Sequence, residues 1–134
     1  MSFSVKITIQ SDTRYITPLR QLVSAVAKVV GRKCFPRRVE RSCTLALIEA
    51  VDNAIFHAHH HRRKLPIDVT LSVKKGIVTM KVADKGPGMN HPVVHFAKPL
   101  STKGRGLYII SKLMDGVKSQ KRENGHTVIL RYTI

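Results

Sequence analysis

The sequence predicts an α+β domain of two layers, a mixed, mostly antiparallel sheet covered by helices on one face. Three observations predict it. Runs of alternating apolar and polar residues recur along the chain, and such alternation marks half-buried strands. Tight turns at Lys75-Gly76 and Glu123-Asn124-Gly125 each join two of those runs, which makes antiparallel hairpins. Three further stretches carry apolar residues at helical spacing, so the order reads β-α-α-β-β-α-β-β. A chain of 134 residues is long enough to bury one core, and residues 1–134 read as a single domain.

The elements follow in order. Phe3, Val5, Ile7 and Ile9 alternate with polar residues as a strand, which Ser11-Asp12-Thr13 breaks. Thr17-Pro18 supplies an N-cap and a first-turn proline for a helix whose stripe is Leu19, Leu22, Val23, Val26, Ala27 and Val30, stopped at Gly31. A second helix covers about residues 37 to 60, with Cys43, Leu47, Ala50 or Val51, Ala54 and Ala58 as its apolar stripe. Glu49, Asn53 and His57 stand at i, i+4 and i+8 beside that stripe. A polar line there is costly against a dry core and makes sense against a wet or ligand-filled pocket, although a solvent-facing line has the same spacing. Ile67 to Val73 and Ile77 to Ala83 form a hairpin, and Asp84 ends its second strand. Met89 to Thr102, polar and holding Pro92 and Pro99, reads as a mobile flap. The third helix starts near Gly106 and ends around Asp115-Gly116; Val117 to Lys121 and Val128 to Ile134 then close the sheet.

Charge and cysteines restrict the function classes. The net charge of +16 attracts nucleic acid, an anionic membrane, an acidic protein or polyphosphate, and composition alone does not choose among them. No run of eighteen apolar residues exists and the polar start is not a signal peptide, so no membrane span and a cytoplasmic location are expected. Cys34 and Cys43 fit no metal or redox spacing and read as reduced core thiols. Seven aromatics without tryptophan leave few stacking platforms for single strands. His59-His60-His61-Arg62-Arg63-Lys64 reads as cationic residues at a helix C-terminus rather than a metal site, because three consecutive residues point in different directions.

Chemistry concentrates between Asp84 and Leu107. Asp84-Lys85-Gly86-Pro87-Gly88 puts a carboxylate where a strand breaks into a glycine loop. Lys103-Gly104-Arg105-Gly106-Leu107 opens an apolar-periodic helix, whose first amides lack helical partners and carry partial positive charge. Together they read as a nucleotide site, with a carboxylate for the base at one end and an anion cradle at the other. Either cluster alone is compatible with an ordinary turn, and no Walker loop or dinucleotide fingerprint is present.

With Glu49-x-x-x-Asn53 upstream, the three elements in this order resemble the GHKL ATP-binding domains, and among these the small anti-sigma serine kinases of the RsbW/SpoIIAB type. Leu47-Ile48-Glu49-Ala50-Val51-Asp52-Asn53-Ala54-Ile55-Phe56-His57-Ala58 is similar to that group's N-box, and Gly104 to Asp115 to its second glycine box and following helix. The resemblance implies a Bergerat-type sandwich holding ATP and Mg2+. It implies that Glu49 accepts the proton of an attacking hydroxyl, that Asn53 ligates Mg2+, and that Asp84 accepts the adenine amino group. By the same resemblance Lys103, Gly104, Arg105, Gly106 and Leu107 cradle the phosphates, Ser101 and Thr102 offer hydroxyls, and His57, Gly86, Gly88 and Thr127 complete the nucleotide contacts. The family's closing Gly-Thr pair reads Gly125-His126-Thr127 here, so the hydroxyl is displaced or replaced by imidazole.

The implied activity is a serine/threonine protein kinase that binds a sigma factor or similar regulator and phosphorylates a STAS-domain antagonist, with a homodimer possible. Two other readings remain at this point. One is a non-catalytic module gated by ATP or ADP on the same fold. The other is a basic nucleic-acid-binding protein whose glycines are only turns.

Overall fold

The computed structural model describes residues 2–60, 62–86 and 105–134, and of residues 105–107 the backbone alone. The elements are β1 (Ser2–Gln10), α1 (Ile16–Val30), α2 (Arg37–Asn53), β2 (Pro66–Lys74), β3 (Ile77–Asp84), α3 (Arg105–Leu113), β4 (Gly116–Arg122) and β5 (Gly125–Thr133). The stretch expected to form a flap, residues 89–102, lies outside the described residues.

The five strands form one sheet in the order β1-β2-β3-β5-β4, and every pairing among the described residues is antiparallel. The α+β sandwich expected from sequence is therefore present, its sheet fully rather than mostly antiparallel. Tight turns make β2–β3 and β4–β5 neighbours. The chain returns from α3 to the sheet edge as β4, so β5 lies beside β3. That insertion pairs Asp84 directly with His126.

Strand alternation decides the layering. Ile67, Val69, Leu71, Val73, Val78, Met80, Val82, Val128 and Leu130 are buried on one face, while Asp68, Thr70, Ser72, Thr79 and Lys81 on the other are half-buried or exposed. The helices cover the apolar face with Leu19, Val23 and Val26 of α1, with Val39, Cys43, Leu47 and Val51 of α2, and with Ile110 of α3. Each such large side chain taken from water contributes about 1.5–3 kcal/mol before the entropy of ordering it.

Three local expectations are corrected. The first helix begins at Ile16, so Thr17 is inside it; the capping side chain is Asp12, which accepts the Arg14 amide N–H (3.0 Å) at a single 3-10 turn before α1. The second helix does not run as α-helix to residue 60: it leaves α geometry at Ala54 and passes through a π turn over Ala54–Ala58, closed by the His59 N–H donating to Ala54 C=O (2.9 Å). Of the two thiols, Cys43 is buried but Cys34 is exposed. Burial first, and the charge of Asp115 second, push the Cys43 thiol up to about 12, so it stays protonated and unreactive.

Candidate functional site

The site is assembled around Asp84, the last residue of β3 and only 6 % exposed. Its Oδ1 accepts the Gly86 amide N–H (2.9 Å), which turns the chain out of the strand. Its Oδ2 stands 3.7 Å from His126 Nδ1, and on the far side of that ring Nε2 meets the Ser119 hydroxyl. With a carboxylate facing Nδ1, the consistent tautomer carries its proton there and accepts from Ser119 at Nε2.

Two close approaches explain the glycines on either side. A Cβ at Gly86 would lie 2.4 Å from the Ala58 carbonyl oxygen, so the loop presses against the π turn at the end of α2. A Cβ at Gly125 would lie 1.9 Å from the Asp84 carbonyl oxygen, and Gly125 also holds a φ of +151° that L side chains rarely adopt. The loop is thus gripped from α2 and from β5 at once.

His59 supplies the third hold. The Lys85 amide N–H donates to its Nε2 (2.7 Å), its Nδ1 bonds the Ser11 hydroxyl, and that hydroxyl donates to Leu65 C=O (3.0 Å). Burial lowers the affinity of His59 for a proton, Asp84 opposing this and Arg62 adding to it. Reading the histidine run as cationic residues at a helix C-terminus missed this residue. The π turn brings His59 inward, fully buried, and leaves His57 exposed. Among the described residues, no group of three or more His, Cys, Asp or Glu side chains could hold a metal.

On α2, Glu49 and Asn53 are one turn apart and half-buried. Asp52, within the N-box segment but given no role there, is half-buried as well. Burial raises the pKa of Glu49, with the charge of Asp52 adding to it, and burial raises Asp52 as well. The Asn53 amide makes no hydrogen bond among the described residues. An amide oxygen of this kind is a neutral donor of the type that a hard divalent cation such as Mg2+ accepts. Thr127, paired with Ala83 one residue further along β5, faces the opposite side of the sheet from His126, and its Oγ1 is buried with no hydrogen-bond partner among the described residues. Gly88, Ser101, Thr102, Lys103 and Gly104 lie outside the described residues. Arg105, Gly106 and Leu107 are placed as the backbone of the first turn of α3.

A two-layer antiparallel sandwich with an acid at a strand end, a helix bearing Glu49 and Asn53, and a helix opened at residue 105 is an architecture of the ATPase-domain class. The chain belongs to the histidine kinase-like ATPase domain family, which matches residues 9–132. Within it the chain resembles the serine-protein kinase RsbW of Bacillus velezensis (25 % identity over 138 residues, 96 % of this chain and 84 % of that protein) and RsbW of Bacillus subtilis (22 %, 96 % and 84 %). The fold is shared with the RsbU and RsbW domains of Rv1364c from Mycobacterium tuberculosis (TM-score 0.72, 18 % identity), where this chain is covered to 98 % and spans only 32 % of that longer chain. It is shared too with the catalytic domain of the histidine kinase ThkA (TM-score 0.60, 18 % identity, 96 % of both chains). Among the described residues, no helix is long and apolar enough to cross a membrane.

Proposed function

We propose that the chain is an ATP-dependent serine/threonine protein kinase of the anti-sigma type, which binds a sigma factor or analogous regulator and phosphorylates a STAS-domain antagonist. The observation that carries this reading is the setting of Asp84: a buried carboxylate bonded by the Gly86 amide and faced by His126, on a loop that presses at Gly86 against the π turn following the helix that bears Glu49 and Asn53. Asp84 accepts the exocyclic amine of adenine, and the carbonyl that guanine presents there is repelled. The first-turn amides of α3, with Lys103 and Arg105, hold the phosphates, and Asn53 is the protein ligand for Mg2+. When bound, Mg2+ neutralises charge that develops on the transferred phosphoryl group.

Glu49 takes the proton of the attacking hydroxyl. Its raised pKa suits this role, since a base nearer the working pH keeps more of its driving force. The high positive charge favours an acidic regulator, steering encounter more than final affinity.

Calorimetric titration and a phosphoryl-transfer assay test the assignment together. Asp84→Asn is expected to weaken ATP binding by about tenfold to a hundredfold, the worth of a hydrogen bond to a charged acceptor. Glu49→Gln is expected to keep nucleotide affinity while transfer falls by about 10²-fold or more. Equal ATP affinity in wild type and Asp84→Asn would count against the adenine site. Intact binding with no transfer in the wild type would favour a nucleotide-gated module, the reading to which the imidazole at position 126 lends weight.

A further inference from the structure

We infer that His126 is the positioning residue that fixes the base selectivity of this chain, by orienting the Asp84 carboxylate from across the β3–β5 ladder. The inference rests on the adenine pocket proposed above and assigns a task within it to a residue that the family's closing Gly-Thr pair does not provide. Asp84 and His126 are directly opposed in register, so their side chains leave the sheet on the same face about 5 Å apart at Cβ. Both are buried, at 6 % and 4 % exposure, and so is Ser119 at 1 %. Thr127, the hydroxyl that the family pattern would supply, lies on the other face and makes no hydrogen bond to Asp84.

The chemistry follows from counting lone pairs. An ionised carboxylate has about four acceptor positions. Gly86 N–H takes one on Oδ1 and the His126 Nδ1–H faces Oδ2. The first is a hydrogen bond of 2.9 Å, and the second, at 3.7 Å, is a close charge–dipole approach that favours the carboxylate orientation with Oδ2 toward the ring. Ser119 on β4 fixes the ring from behind, through Nε2. A base carrying an exocyclic amine therefore meets an acceptor already aimed, and a base lacking that amine leaves a buried charge short of a partner.

The test compares ATP with purine riboside triphosphate, which differs by loss of the exocyclic amine, by titration calorimetry on wild type and four variants. Wild type is expected to prefer ATP by about tenfold or more. His126→Ala should shrink that preference to about threefold or less while affinity for the amine-free analogue changes little. His126→Asn, whose amide N–H reaches where Nδ1 stood, should restore most of the preference. His126→Gln, whose amide reaches toward Ser119 instead, should not. Ser119→Ala should narrow the gap by a smaller factor.

Full preference in the alanine and glutamine variants would overturn the inference and leave the pocket standing. A wild type with no preference for ATP would overturn the pocket and the inference together. If the alanine variant fails to fold, asparagine against glutamine decides alone: equal preference in the two overturns the inference.

Discussion

His59 has both ring nitrogens occupied, one by the Lys85 amide and one by the Ser11 hydroxyl, and such a ring is neutral because Nε2 must accept. Protonation would turn that acceptor into a donor facing a donor. The folded pKa lies below the ordinary value of 6.5, so the unfolded chain binds the proton more readily. The contribution of His59 to stability is thus complete above about pH 6.5 and is lost as pH falls through the folded pKa. Wild-type melting temperature is expected to fall between about pH 7 and pH 5. His59→Gln, whose side-chain oxygen can accept from Lys85 without titrating, should flatten that limb in a melting series; an unchanged slope would show that other groups carry it.

At the scale of elements, two glycines can be separated by what they touch. Gly125→Ala combines a φ of +151° with a 1.9 Å approach to the Asp84 carbonyl, and should cost about 3 kcal/mol or more, near 10 °C in melting temperature. Gly76 also has positive φ, +75°, but nothing lies within 4 Å of an added Cβ, so Gly76→Ala should cost only about 1 kcal/mol. Melting both variants checks the ratio.

The same elements show what a sequence reader can see. The strands were legible because period-two alternation survives in β1, β2, β3 and β5, and Asp84 because an acid between a strand and a glycine is conspicuous. The π turn was not legible, since nothing in Ala54-Ile55-Phe56-His57-Ala58 departs from a good α-helix; the loop pressing at Gly86 is a tertiary matter. His59 was hidden among identical neighbours for the same reason. The opposition of His126 to Asp84 needed the β3–β5 register, which local pattern does not fix.

Across the whole molecule the cations are spread over surfaces with few acids to meet them. On the uncovered sheet face Lys6, Thr70, Lys81, Ile129 and Lys118 stand in one register row, so Lys6 and Lys81 are about 10 Å apart, as are Lys81 and Lys118. Ten ångströms is close to the screening length at about 0.1 M salt, so mutual repulsion among these charges responds to ionic strength. The ion pairs among the described residues are few: Arg14 and Arg63 share Asp12, Arg32 meets Glu40, and His126 faces Asp84. Melting temperature should therefore rise by a few degrees between about 0.05 and 0.5 M sodium chloride, the direction expected when repulsion outweighs attraction. A fall over that range would mean that ion pairs, not repulsion, dominate.

Neighbouring positions 125 and 126 have unequal freedom. Position 125 abuts main chain and admits no side chain, whereas position 126 faces a carboxylate that several polar groups could satisfy. Substitution at position 126 should therefore leave the scaffold standing where substitution at position 125 distorts it, so the sheet leaves one neighbour open to chemical change and closes the other.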